Sequence, residues 1–349
     1  MKKWVIAFIC SSILTAGAQT WRNGDLDGQW TTDNNWSGGN KPTDTQTATF
    51  AANGTSNINL SSAQTINAMT FQGAAQAYTF TGSELIFAQT ANATVLNNNS
   101  TAPNQQVFKN VVKVTGGYNT TFNGGAGGIV FDNTFDSTAT AWMQMNGTVT
   151  FNGNVKSSAL RINSGATATF NNTTSNEIAS FVITGSGTAS IVVVNTAAGV
   201  NFYDGLRIQH NNSATFTFNN ANVLGDTTDI KTSGYTVNYN FNADETLGQL
   251  ILDNGQVNIT LGDSVNHLVF SEGISGDGVI VISNFVAGVV NFNGITAGDL
   301  TNITAYAKGS TSPITLSLDV AGNLIPEPGT IGLLMISAGG LLLARRARR

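Results

Sequence analysis

Thr148-Val149-Thr150-Phe151-Asn152-Gly153 alternates polar and apolar residues with period two and then stops at Asn-Gly. Successive side chains of a strand point to opposite faces, so this phrase reads as a half-buried strand followed by a corner. Variants of it return at Ala48-Thr49-Phe50, Ala166-Thr167-Ala168-Thr169-Phe170-Asn171-Asn172, Ala214-Thr215-Phe216-Thr217-Phe218-Asn219-Asn220 and Val289-Val290-Asn291-Phe292-Asn293-Gly294. The strand-ending phenylalanines recur at 21 residues (Phe50 to Phe71), 20 (Phe131 to Phe151), 19 (Phe151 to Phe170) and 22 (Phe270 to Phe292). A period near 20 predicts stacked rungs of two or three short strands. Inward Val, Ile, Leu and Phe would lie above one another. Asn and Gly would take the corners, where Asn tolerates left-handed backbone and can hydrogen-bond along the stack. The expected fold is therefore all-β, a right-handed parallel β-helix or solenoid. About 15 rungs spaced about 4.8 Å apart would make a rod of about 70 Å. Because the repeat drifts, an array of β-sandwiches is the competing arrangement. No part of the body carries a helical stripe.

Composition narrows the function classes. Charged residues are 10% of the chain, against about a quarter in ordinary domains. The formal charge is −5; removing Lys2, Lys3 and the four C-terminal arginines, six cations, leaves the body at −11. Nucleic acid, which needs basic patches, is excluded as a partner. The single cysteine, Cys10, lies in the N-terminal apolar stretch, so the body has no disulfide and depends on packing and backbone pairing.

Both ends read as export signals. Met1-Lys2-Lys3 is a positive n-region, 4–14 is largely apolar, and Ala16-Gly17-Ala18 offers a small-x-small cleavage site, so 1–18 is expected to be a signal peptide and Gln19 the mature start. The alternative for this stretch is a buried N-terminal helix. At the other end, Pro326-Glu327-Pro328 precedes an uncharged apolar span, 331–344, and then Arg345, Arg346, Arg348 and Arg349. A basic cluster stays cytoplasmic while the body lies outside. Fourteen helical residues rise about 21 Å against a bilayer core of about 30 Å, which suits a temporary handle better than a permanent single-span anchor. The expected organisation is a signal peptide (1–18), a β-solenoid body (19–324) and a sorting tail with a membrane-spanning helix (325–349).

The segment 325–349 resembles the PEP-CTERM sorting domain of Gram-negative bacteria, also called the ice-binding protein C-terminal domain. All three parts are present in order: the Pro-Glu-Pro motif, the apolar span and the Arg cluster. The resemblance implies recognition and cleavage by an exosortase, with Ala16 and Ala18 serving signal peptidase and Pro326, Glu327 and Pro328 marking the sorting site. The segment 21–87, with Trp21-Arg22-Asn23-Gly24, Gly28-Gln29-Trp30, Asn35-Trp36, Pro42, Ala48-Thr49-Phe50, Ile66, Met69-Thr70-Phe71 and Tyr78-Thr79-Phe80, resembles the opening of autotransporter-associated β-strand repeat proteins. That implies a surface β-helix. The later body lacks the regular glycine-rich repeat of that family, and no C-terminal barrel is visible.

Candidate chemistry is sparse. Polysaccharide lyases and glycosidases also use parallel β-helices, and a glycosidase needs two facing carboxylates. The only local acidic cluster is Asp244-Glu245; neighbours in a strand face opposite ways, and the pair reads as solvated. The nine body Lys and Arg are scattered. Of the two histidines, His210 reads as an exposed turn residue and His267 as the residue just ahead of a strand; neither sits in a zinc motif. Asn23-Gly24-Asp25-Leu26-Asp27-Gly28 begins like an EF-hand loop, but its twelfth position is Asn34 rather than Glu. Trp21, Trp30 and Trp36 would either stack on sugars or cap the open end of the solenoid, the second being the expected role. Threonines as in Thr215-Phe216-Thr217 would need a fixed register over many rungs to form an ice-binding face, and no fixed register is apparent from their spacing. N-glycosylation sequons occur at Asn35, Asn53, Asn92, Asn146, Asn258 and Asn302. These features together predict a non-enzymatic cell-surface or extracellular-matrix protein for structure or adhesion, without cofactor or metal, contacting exopolysaccharide. The alternative is a carbohydrate-active β-helix enzyme.

Overall fold

The computed structural model describes residues 17–327 apart from 53, 102, 103 and 204. The chain winds as a parallel β-solenoid of about 11 turns, with three faces. Strands of the first face run from Gln19–Thr20 to Ile274–Gly276 in a 12-stranded sheet, and those of the second from Asn57–Leu60 to Ile303–Ala307, with the antiparallel Pro313–Ile314 completing a 13-stranded one. The third face is a six-stranded sheet from Gln64–Ile66 to Glu177–Ile178, resumed as a three-stranded sheet from Glu245–Leu247 to Val290–Phe292. Across that break the isolated parallel bridge Tyr203–Leu224 continues the face.

One turn shows how the sequence makes this shape. Trp142–Asn146 lies on the first face, Thr148–Phe151 on the second and Val155–Ser157 on the third. Gly147 makes the first corner at φ +65°, and a Cβ there would meet the Gly125 amide nitrogen of the rung below at 2.5 Å, so glycine is required on both grounds. Alternation within each strand sends Met143, Met145, Val149, Phe151 and Val155 inward, all fully buried.

The four phenylalanine spacings read from the sequence mark real neighbours. Phe50 pairs in register with Phe71, Phe131 with Phe151, Phe151 with Phe170, and Phe270 with Phe292. Their rings stack at centroid distances of 5.2, 5.4, 5.0 and 4.8 Å. On the second face the stack is continuous over Phe80, Phe108, Phe131, Phe151 and Phe170. The rung count is the correction: about 11, not about 15. Loops such as 195–206, between Ser190–Val194 and Arg207–His210, lengthen many turns beyond the phenylalanine period. At about 4.8 Å per rung the rod is about 53 Å long.

Asparagine does work the corners. Behind the second face Asn152 donates to Asp132, Asn171 to Asn152, Asn195 to Asn171, Asn219 to Asn195 and Asn242 to Asn219, at 2.5–2.9 Å. Asn195 sits mid-ladder, donating to one neighbour and accepting from the next. Asn195→Ala is expected to lower stability in urea by about 1–2 kcal/mol, the worth of two amide bonds in partial solvent contact. An unchanged midpoint would mean the ladder adds nothing.

Both ends of the stack are closed. Trp21, Trp30 and Trp36 are at most 2% exposed and pack edge to face over Phe50. Trp36 Nε1 donates to the Trp30 carbonyl and Trp21 Nε1 to that of Thr55. These rings cap the first rung and offer no face to a sugar. At the far end Leu316–Leu318 and Leu324–Pro326 form an antiparallel hairpin that buries Leu324. Among the described residues no helix is long and apolar enough to cross a membrane; the expected sorting helix at 331–344 lies outside the described residues, as do residues 1–16.

Candidate functional site

With the interior filled by side chains, any ligand must meet the outer faces. On the first face the outward positions form rows across the rungs. One row runs Thr121, Gln144, Arg161, Val182, and the next Asn123, Asn146, Asn163, Thr184, each following from the paired register. Asn163 donates to Asn146 Oδ1 at 2.6 Å and lies 3.3 Å from Gln144 Oε1. Within these amide rows stands one aromatic and cationic feature. The Arg161 guanidinium carbon lies 3.4 Å from the centroid of the Trp142 ring. Tyr118, 40% exposed, belongs to the preceding rung, where its backbone carbonyl accepts from the Ala141 amide. Trp142 is only partly buried, unlike the three capping tryptophans. A half-exposed ring with a fixed cation, set among amides, can take the apolar face of a sugar and its hydroxyls together.

The sequence reading passed over this pair because its members are 19 residues apart. The paired step on this face is 17 residues, Gln144 to Arg161, so Arg161 reaches the Trp142 ring diagonally across the rung. Both residues occupy outward parity in their strands, Trp142–Asn146 and Leu160–Asn163.

The acidic and histidine readings need correction. Glu245 is not solvated: it is 2% exposed and points inward with Leu247. Its carboxyl accepts from the Val223 amide at 3.0 Å, and the Leu224 amide lies 3.4 Å away. It thereby serves backbone donors where the third face is broken. Burial pushes its pKa up to about 8 against the opposing pull of these amides. Asp244 faces the other way and accepts from the amides of Asn266 and His267. His210 is no exposed turn residue. It ends the strand Arg207–His210, is fully buried beside Phe216, and its Nε2 lies 2.5 Å from Tyr239 Oη. Burial depresses its pKa to about 3. Alternation explains both errors, since His210 shares parity with inward Ile208 and Glu245 with inward Leu247. His267 is exposed just ahead of Leu268–Phe270, as expected.

The calcium-like loop is tied up internally. Asn23 Oδ1 accepts from Gly28, Asn35 Oδ1 from Asp25, and Asp27 from Gln29, Asn35 and Thr32. The Gln29 amide, followed by Asn35, holds the Asp27 carboxyl below its ordinary range. Among the described residues no group of three or more His, Cys, Asp or Glu is placed to hold a metal ion. Asn35 is also fully buried, so that sequon is closed to glycosylation.

Threonine register is the last correction. Thr148 and Thr150 pair with Thr167 and Thr169, these with Ile191 and Val193, and these with Thr215 and Thr217. The columns are fixed because insertions fall at corners and leave strand pairing intact. Ile191 and Val193 interrupt them, so no continuous hydroxyl array forms.

The expected processing residues lie at the ends of the ordered body. Ala18 is exposed immediately before Gln19–Thr20, which pairs with Ala48 and Thr49. Pro326 ends the closing hairpin, and the Glu327 amide donates to the Thr315 carbonyl at 2.9 Å. Ala16 and Pro328 lie outside the described residues. Compared with known proteins, the chain matches no family model, no curated protein and no solved structure.

Proposed function

We propose that this chain is an exported cell-surface or matrix protein with a structural or adhesive role, whose solenoid contacts polysaccharide through an outer face and does no chemistry on it. One observation carries the reading: the first face presents Trp142 and Arg161 among amide rows, while Glu245, the carboxyl that stays protonated near neutral pH, is sealed inside. A general acid must reach its substrate, and Glu245 is spent on backbone amides. In this reading the coil is right-handed, the hand favoured for parallel crossovers.

The processing scheme belongs to the same proposal. Signal peptidase would cut after Ala18, leaving Gln19 to begin the first strand without slack. The tail, 325–349, would be a membrane-spanning handle removed by an exosortase near Pro326-Glu327-Pro328, the closing hairpin staying with the body. Intact-mass measurement of the protein extracted from its producing cells tests this. The expected mass corresponds to a chain starting at Gln19 and ending at the Pro-Glu-Pro motif. A mass that includes Arg349 would make the tail a retained anchor, and one that includes Met1 would defeat export through a cleaved signal.

A further inference from the structure

Arg161 differs from most cations of the body. Lys113, Lys156, Arg207, Lys231 and Lys308 are each paired with a carboxylate. Arg161 has no ion pair among the described residues, although residues 4–344 carry a net charge of −11. It is instead laid on Trp142, and its Nε is covered with no hydrogen-bond partner. The surrounding outward side chains, Gln144, Asn146 and Asn163, are neutral amides. A guanidinium is a planar fork that matches a carboxylate in a bidentate way, and stacking on an aromatic ring fixes that fork before the ligand arrives. An acidic body with one pre-set, unneutralised guanidinium does not attract polyanions in general. It can read a single carboxylate brought to it by something else, here a sugar ring against Trp142.

We infer that the Trp142–Arg161 pair is a subsite for a uronic-acid residue of an acidic polysaccharide, with Arg161 holding the carboxylate and the Trp142 ring holding the sugar. This rests on the polysaccharide-contact reading above and narrows its ligand class. One cation makes the electrostatic contribution small in number but local. Binding should therefore weaken only modestly with salt, unlike adsorption to a basic patch.

The test uses the purified mature chain with polygalacturonate and with the same polymer after carboxyl reduction, read by tryptophan fluorescence. Trp21, Trp30 and Trp36 are buried, so a ligand-dependent change reports on Trp142, and Trp142→Phe should remove the signal. The wild-type protein is expected to bind the acidic polymer more tightly than the reduced one. Arg161→Gln should lower affinity for the acidic polymer at least about tenfold, the worth of a charged hydrogen-bonded pair, and leave the reduced polymer unaffected. Arg161→Lys keeps the charge but loses the fork and should fall between the two. Both side chains point outward, so an unchanged urea midpoint shows the variants are folded. Equal binding of both polymers, with Arg161→Gln indistinguishable from wild type, overturns the uronate subsite and leaves the wider reading standing. Binding to neither polymer nor to any glycan of a mixed array overturns both.

Discussion

Phe151→Ala is expected to lower the free energy of unfolding by about 3–5 kcal/mol, the range for emptying an aromatic site in a packed core. The ring is fully buried and stacks on Phe131 on one side and Phe170 on the other. In a solenoid each rung contacts only its neighbours, so stability is close to a sum of rung and interface contributions. Removing Phe151 weakens two interfaces at once, in the middle of the rod. Thr150 points outward from the same strand, and Thr150→Ala should stay within about 0.5 kcal/mol of wild type. Guanidinium unfolding followed by circular dichroism checks the pair. Equal losses from the two variants would mean the inward and outward assignments are not as described.

The second large effect is a stability plateau between about pH 4.5 and 6.5 that falls away on both sides. Glu245 has a folded pKa of about 8 against an ordinary 4.5 because burial disfavours its charge. The folded state keeps that proton longer than the unfolded chain. Stability from this group is therefore full below pH 4.5 and is lost as pH rises to about 8. His210 is opposite: its folded pKa of about 3, against 6.5, means the folded state resists protonation. Its contribution is full above pH 6.5 and is lost as pH falls toward 3. Between pH 4.5 and 6.5 the two slopes cancel. Each group contributes about 5 kcal/mol between its two pKa values, at about 1.4 kcal/mol per pH unit, and about 2 kcal/mol of that falls outside the plateau as a limb. Asp27, Asp299 and Asp319, held below their ordinary values chiefly by hydrogen bonds, steepen the acid side. Glu245→Gln should flatten the alkaline limb and let stability climb through the former plateau up to pH 6.5, and His210→Gln should flatten the acid limb and let stability fall from pH 4.5 onward. Urea unfolding at pH 4, 6 and 8.5 reads both. A wild-type alkaline slope that survives Glu245→Gln would show that another group carries it.

Much of the fold could be read from one phrase of sequence. The alternation around Phe151 gave the strand, Asn152-Gly153 the corner, and the interval to Phe170 the rung; all three hold in the structure. The interval could not give the number of turns. Corners tolerate insertions without disturbing pairing, and 195–206 adds a long loop between strands that remain neighbours across the rungs. Polar residues inside the coil were misread for a different reason. His210 and Glu245 sit at inward parity, but residue type argued for the surface. Parity was the better guide in both cases. The site was the least legible part. Trp142 and Arg161 meet diagonally, because Arg161 pairs with Gln144, two residues on from Trp142, and no phenylalanine interval points to that contact.

The central claim is a scaffold that holds polysaccharide without cutting it, and the molar mass of an acidic polysaccharide after prolonged incubation with the mature chain tests it most directly. Measured by light scattering on a sizing column, the polymer peak is expected to keep its molar mass or gain that of bound protein. A falling molar mass that is abolished by changing one Asp or Glu would contradict the account and make the protein an enzyme.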